Sequence, residues 1–251
     1  MGLYQQAEVY DRLYGWDITA ERDFVLAASR RWGVPRPRRV LEPFCGTGRL
    51  LAAMPGFRVG FDASAPMLRR AAGRGLAVLR ADATTCALSR STFDLAFSLI
   101  DSFRHLPTRA EARAHLRGVA RVLRPGAVYV LGFDLTGHRP ADVSVDRWRV
   151  EHDGASVEGA VGGLGDRDPA TRLETVRAAV EVRRDGALER RVESLWPMRV
   201  WSPVEFEELL DEDECFEPVA CFRGDYRMAE PVELAELAGS SLIVLRREER
   251  A

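Results

Sequence analysis

Val40-Leu41-Glu42-Pro43-Phe44-Cys45-Gly46-Thr47-Gly48-Arg49-Leu50-Leu51 is a short apolar strand that ends on an acid and turns through Gly46-Thr47-Gly48 into the start of a helix. Acids recur at Asp62 and Asp82, each closing another apolar run, so the three carboxylates stand twenty residues apart. That period suits one strand plus one crossover helix. Three carboxylates at the C-terminal ends of successive parallel strands would line one edge of one sheet, where open α/β folds bind their ligands. The outline is that of a nucleoside pocket.

The alternation extends outward from this stretch. Strand-like runs at 39–42, 57–62, 77–80, 93–100 and 126–133 alternate with helical stretches near 48–54, 65–74 and 109–123, which predicts a parallel sheet built from βαβ units. Thr108 with Glu111 forms a capping box at the start of the last of these helices, and Arg124-Pro125-Gly126 reads as its stop. Two helices precede the sheet, from Ala7 to Trp16 and from Thr19 to Trp32, the second stopped by Gly33 and Pro35. After Phe133 the pattern becomes extended, at 143–152, 155–161, 171–184 and 187–200, with turn signals at Asp153-Gly154, Gly162-Gly163 and Asp185-Gly186. A helix over 203–210 and strands near 215–223 and 240–246 would complete the main sheet. The predicted organisation is a helical lid over 1–33, a cofactor-binding core over 34–134, an antiparallel insertion over 135–200 acting as substrate cap or oligomer interface, and closing elements over 201–251.

Composition narrows the function. With 251 residues and 46% apolar content the chain builds a real core, and no apolar run is long enough for a membrane span. Met1 to Asp11 shows neither the basic nor the apolar region of a signal peptide, so the expected compartment is the cytoplasm. A net charge of −2 gives no footprint for nucleic acid or anionic lipid. The clusters Arg36-Pro37-Arg38-Arg39 and Arg246-Arg247-Glu248-Glu249-Arg250 are expected in solvent. Cys45, Cys86, Cys215 and Cys221 form no C-x-x-C pair, which favours reduced structural thiols over a metal site. The sequence contains no lysine and no asparagine. A Schiff-base lysine and a P-loop lysine are therefore excluded.

The third glycine of a G-x-G-x-x-G fingerprint would fall at position 51, which is Leu51. That departure argues against a pyrophosphate ligand and a nicotinamide-dependent oxidoreductase. A ligand without phosphates needs glycines near an amino-acid moiety, an acid for a ribose diol and another near an adenine amino group. S-adenosylmethionine has those parts.

Val40 to Gly48 resembles motif I of the class I S-adenosylmethionine-dependent methyltransferases, and Gly60-Phe61-Asp62-Ala63-Ser64-Ala65-Pro66-Met67-Leu68 resembles their second-strand motif. Ala81-Asp82-Ala83 is similar to the third, Phe93 to Ile100 to the fourth-strand segment, and Leu123-Arg124-Pro125-Gly126-Ala127 to the turn into strand five. Ala7 to Tyr14, with the antiparallel insertion, resembles the small-molecule branch that includes aminosugar N-methyltransferases and glycine N-methyltransferase-like enzymes. The resemblance implies a Rossmann-like α/β sheet, mostly parallel with its last strand antiparallel. It also implies S-adenosylmethionine as cofactor, S-adenosylhomocysteine as product and a small-molecule acceptor, with N-methylation ahead of O- or C-methylation and neither nucleic acid nor membrane as partner. A homodimer through the insertion is a further expectation. A non-catalytic cofactor binder or scaffold is the rival reading.

Carried over to these positions, the resemblance puts Gly46 and Gly48 by the methionine part, Glu42 near its ammonium, Asp62 on the ribose hydroxyls and Asp82 on the adenine amino group. Phe44, Ala63, Met67, Ala83, Leu99 and Tyr10 complete the expected cofactor contacts. Taken alone, Asp62 suits a helix cap, Asp82 a turn and Met67 a core position equally well. Pro43-Phe44 departs from the acid-x-glycine-cysteine-glycine run that the family more often has. Tyr10 and Tyr14 lie four apart on one helix face, and aromatic faces suit a sulfonium or an ammonium. Tyr14 is thus a catalytic candidate, with ordinary packing as the competing explanation. His105 and Asp101, in the loop after strand four, are candidate proton acceptors. Trp196 stands where aminosugar enzymes have a histidine, and Arg199 suits a substrate anion or a surface ion pair. His115 is placed only within the capped helix, and His138 and His152 within the insertion. No metal ligands are expected.

Overall fold

The computed structural model describes residues 2–86, 88–136, 145–152 and 154–248. Its strands β1 (Arg39–Pro43), β2 (Phe57–Asp62) and β3 (Ala77–Arg80) run parallel, with Leu41 opposite Val59 and Asp62 opposite Arg80. β4 (Phe93–Ser98) returns to the free side of β1, and β5 (Leu123–Leu135) pairs parallel with β4. The strand order therefore reverses between β1 and β4, leaving a crevice above their C-terminal ends. β10 (Phe216–Arg223) and β11 (Gly239–Arg247) extend the sheet beyond β5, giving the order β10-β11-β5-β4-β1-β2-β3, in which β11 is antiparallel to both its neighbours.

The chain divides into two compact units, 18–139 with 200–251 and 1–17 with 140–199. In the larger unit the period-2 alternation of β5 decides both faces. Tyr129, Leu131 and Phe133 face one way and pack with Leu116 and Val119 of α5 (Arg109–Val122) and Phe206 and Leu209 of α6 (Pro203–Asp211). Val128 and Val130 face the other, against Phe24, Val25 and Ala28 of α2 (Thr19–Trp32), with α3 (Arg49–Ala52) and α4 (Ala65–Gly73) contributing Leu50, Leu51, Leu68 and Ala71. Each such fully buried Phe or Leu contributes roughly 1.5–3 kcal/mol. Capping boxes start α5 at Thr108 and α6 at Ser202.

The smaller unit is an antiparallel sheet in the order β6 (Val145–His152), β7 (Ala155–Gly163), β8 (Leu173–Arg184), β9 (Ala187–Arg199). Its alternating residues Val157, Ala178, Val180, Val182 and Val192 bury Leu3 together with Val9 and Leu13 of α1 (Ala7–Leu13). Trp148 Nε1 donates to the Leu13 carbonyl at 2.8 Å, and the Leu3 amide donates to Ser194 Oγ at 2.6 Å.

Several elements differ from the sequence reading. α1 ends at Leu13 rather than Trp16, and α3 is a single turn. β4 stops at Ser98, because the backbone at Ile100 and Asp101 turns left-handed, with φ of 57° and 61°. Arg124-Pro125-Gly126 does not separate α5 from β5; the strand starts at Leu123 and carries these residues as an irregularity in its pairing with β4. Arg247 is not in solvent. It is buried, and its guanidinium donates to the Leu123 carbonyl and to Ser91 Oγ, which ties β11 to the start of β5. His138, residues 143–144 of the first predicted hairpin strand, Asp153 and Arg250 lie outside the described residues. Among the described residues the four cysteines are buried free thiols, no His, Cys, Asp and Glu group is arranged to hold a metal, and no helix is long and apolar enough to cross a membrane.

Candidate functional site

Glu42 is the penultimate residue of β1, Asp62 the last of β2, and Asp82 lies two residues past β3, so all three carboxylates sit at one edge of the sheet. Between Glu42 and Asp62 the chain makes a tight turn: the Cys45 amide donates to the Phe61 carbonyl at 3.0 Å and the Gly48 amide to the Cys45 carbonyl at 2.7 Å. Phe44, Gly46 and Gly48 all have positive φ, of 55°, 52° and 71°. The left-handed backbone at Gly48 favours glycine, and an added Cβ would also lie 2.4 Å from Leu76 Cδ1 and force that side chain to shift.

Asp62 clamps this turn. Its Oδ2 accepts from the Gly46 amide at 3.0 Å and its Oδ1 from the Ser64 amide at 2.7 Å. Burial nevertheless raises its pKa, with the amides of Ser64, Gly46 and Ala63 pulling the other way. Glu42 is buried, and burial, reinforced by the charge of Asp62, pushes its carboxyl well above the usual range. Its Oε2 is buried without a hydrogen-bond partner. A buried carboxylate oxygen lacking a donor is costly, so this one points to a cationic or hydrogen-bond-donating ligand. Asp82 is exposed, and Thr84 lowers its pKa by donating its hydroxyl at 2.6 Å and its amide at 2.8 Å to Oδ1. Ala63 is exposed, Ala83 half-buried, and Met67 and Leu99 buried.

The loop after β4 carries the other two core candidates. Asp101 Oδ1 accepts from the Asp134 amide at 2.7 Å and its Oδ2 from the buried Arg104 guanidinium at 3.2 Å, while the Asp101 amide donates to the Gly132 carbonyl. Its carboxylate is thereby committed to joining the ends of β4 and β5. Burial pushes the His105 imidazole down to about 4, with Asp101 raising and Arg104 lowering it, so it is neutral at pH 7.

Tyr10, Tyr14, Trp196 and Arg199 belong to the smaller unit. There the rings form a chain, Trp196 to Tyr4 at 5.3 Å, Tyr4 to Tyr10 at 5.9 Å, Tyr10 to Tyr14 at 4.4 Å, and Tyr14 to Trp16 and Trp148 at 5.3 and 5.7 Å. All six are half-exposed. Arg199 donates to the Thr171 carbonyl at 3.3 Å.

Residues 40–126 match the family described as a methyltransferase domain. Over that span the chain carries a methyltransferase domain. The assignment removes the nicotinamide reading, and the cofactor is S-adenosylmethionine. The residues fit it: the glycine turn leaves backbone open to close approach, and the unpartnered Glu42 Oε2 suits its ammonium. Similar solved structures include a sugar N-methyltransferase, KedS8, from Streptoalloteichus (22% identity, 96% of this chain and 92% of that one, TM-score 0.74). An amino pentose methyltransferase, CalS10, from Micromonospora echinaspora with S-adenosylmethionine bound is 24% identical over 97% of both chains (TM-score 0.74). A methyltransferase from Clostridium acetobutylicum is 17% identical over 97% of this chain and 98% of that one (TM-score 0.74). At these identities the likeness is one of fold. No curated protein matches the sequence.

Sequence reasoning did not single out two residues that the fold places near the C-terminal ends of β3 and β4. His115 shares the apolar face of α5 with Ala112, Leu116 and Val119, a placement that the i, i+3, i+4 pattern marks as inward. Ile100 is 48% exposed on left-handed backbone, which no local sequence signal announces.

Proposed function

We propose that the protein transfers the methyl group of S-adenosylmethionine to the amino group of a small amine-bearing acceptor. The amine lone pair forms the new N–C bond as the S–C bond breaks, S-adenosylhomocysteine departs and the ammonium product loses its proton to water. The observation that carries the cofactor half is the buried Glu42 Oε2 beside a turn clamped by Asp62. In this reading Glu42 meets the ammonium, Gly46 and Gly48 pass along the methionine part, Asp62 takes the ribose hydroxyls and Asp82 the adenine amino group. Phe44, Ala63, Met67, Ala83, Leu99 and Tyr10 line the remainder.

Nitrogen is favoured as the acceptor because, among the described residues, neither His105 nor Asp101 stands ready as a strong base. His105 has a conjugate acid near 4 and both Asp101 oxygens are engaged, which suits a nucleophile that needs only positioning. His105 then serves as a neutral hydrogen-bond partner and Asp101 as the anchor of its loop. The half-exposed aromatic chain around Tyr14 and Trp196 suits a cation or a sugar face, and Tyr14 is assigned to the reacting amine. The likeness to KedS8, a sugar N-methyltransferase, and CalS10, an amino pentose methyltransferase, supports an amino sugar as the acceptor class. Arg199 is assigned to an anionic group of the acceptor. A cytoplasmic homodimer working on small molecules, without nucleic acid, completes the reading.

A thermal-shift panel tests it. S-adenosylmethionine and S-adenosylhomocysteine should each raise Tm, and NAD should not. Transfer of labelled methyl from the cofactor to an amino sugar is the second expected result. The absence of any shift with the first two ligands contradicts the cofactor assignment, and cofactor binding without transfer to any amine leaves a binder rather than an enzyme.

A further inference from the structure

α5 runs beneath the loop that follows β3 and touches it once per turn. His115 Nδ1 lies 2.9 Å from the Ala83 carbonyl, Gly118 leaves room for Cys86, whose Cβ would sit 3.2 Å from an added Cβ, and the Arg121 guanidinium donates to the Cys86 carbonyl. Positions 115, 118 and 121 share one helix face. His115 is fully buried, and its Nε2 lies 2.8 Å from the Tyr129 hydroxyl of β5. A carbonyl can only accept, so Nδ1 carries the proton, Nε2 is the acceptor and the Tyr129 hydroxyl donates to it. The same imidazole packs against Phe44 of the first turn, ring centroids 5.1 Å apart.

We infer that His115 is a positioning residue for the cofactor: one imidazole, oriented by Tyr129, fixes the Ala83 carbonyl after β3 against Phe44 after β1 and so sets the spacing of the two loops assigned to the adenosyl group. The inference rests on the adenosyl reading of this edge. The Asp82 carboxylate, already tied to Thr84, is held in place by the residue that follows it. A free loop would have to be ordered by each arriving ligand, which lowers affinity. The competing explanation is that His115 only satisfies buried polar atoms of the core.

The decisive variant is His115→Phe, which keeps an aromatic ring against Phe44 and deletes both hydrogen bonds. Wild-type protein is first shown by calorimetry to bind S-adenosylhomocysteine and 5′-methylthioadenosine; binding of neither defeats the adenosyl reading itself, and this inference with it. In His115→Phe both ligands should weaken by a common factor of about ten, as expected for one lost net hydrogen bond, because the second ligand lacks the amino-acid part. The KM for S-adenosylmethionine should rise with kcat at saturation unchanged, the amides of residues 83–86 should exchange faster in the ligand-free protein, and His115→Gln should recover part of the affinity. If His115→Phe does not fold, Tyr129→Phe decides, with about threefold weaker binding expected from losing the neutral donor alone. Unchanged affinity for both ligands in a folded variant overturns the inference, as does a fall in kcat with cofactor affinity intact.

Discussion

The Asp62 carboxylate accepts a hydrogen bond from the Gly46 amide at 3.0 Å, so the last residue of one strand holds the glycine turn that follows its neighbour. A ligand that meets Asp62 therefore meets a group already braced by the turn beneath it. The same side chain carries the start of α4 through the Ser64 amide.

Asp62→Ala removes both of these charge-assisted bonds. It should lower unfolding stability by about 2–3 kcal/mol and weaken S-adenosylhomocysteine about a hundredfold. Urea unfolding and calorimetry measure the two effects. Wild-type affinity in this variant contradicts the ribose assignment.

Glu42 has a raised pKa in the free protein, and a cation beside it would bring that value down. Cofactor binding should then release a proton, and affinity should rise with pH across the Glu42 titration. Calorimetry in two buffers of different ionisation enthalpy reads the released proton directly. Glu42→Gln should abolish it. Because the folded pKa lies above the ordinary 4.5, ionised Glu42 opposes folding increasingly as pH rises beyond that value. The same variant should therefore raise Tm at pH 7 while weakening binding, and a lowered Tm counts against this account.

His115 and His105 both titrate near 4 in the fold and near 6.5 when unfolded, burial being the main cause in each. Between those values the unfolded chain binds the extra protons, so their contribution is complete above about pH 6.5 and is lost as pH falls toward 4. Glu42 and Asp62, raised by burial, act in the opposite sense. His115→Phe isolates one term: the dependence of unfolding free energy on pH over that window should be shallower by up to about 1.4 kcal/mol per pH unit, one proton's worth. Identical slopes in the two proteins would show that His115 is not buried in its neutral form.

Ile100 is a β-branched residue at φ 57°, a conformation that costs about 1–2 kcal/mol. Ile100→Gly should leave stability unchanged or raise it by up to about 1 kcal/mol. The acceptor KM should rise in the same variant if the exposed side chain touches the acceptor. Greater stability with undiminished turnover would make the strain incidental.

Tyr14→Phe retains the ring in its aromatic chain and deletes one hydroxyl. It should lower kcat about tenfold or more, the scale of a positioning contact felt only at the transition state, and leave cofactor affinity unchanged. Equal turnover in Tyr14→Phe and Tyr10→Phe would remove both tyrosines from the reaction.

The alternation that places Glu42, Asp62 and Asp82 on one edge is legible in the sequence because each strand end carries its own turn chemistry within a few residues. The Thr108–Glu111 box is legible for the same reason, and the equivalent Ser202–Glu205 box could have been read from Ser-Pro-Val-Glu. What escaped depends on partners distant along the chain. Arg247 reads as one of a solvated cluster until Leu123 supplies its carbonyl 124 positions away. His115 reads as a helix residue until Ala83 and Tyr129 close around it. The left-handed Ile100 is imposed by the Asp101 bonds to Gly132 and Asp134, not by its own preference.

The sheet order β10-β11-β5 has a consequence for biosynthesis. Residues 216–223 emerge from the ribosome before 239–247, yet the strand they form is tied into the finished sheet through that later segment. Until it arrives, β5 has an open edge, and the Val128, Val130 and Phe133 side chains lack part of their cover. A nascent chain halted short of Gly239 should therefore depend on chaperones and stay sensitive to protease, however well its earlier strands have paired.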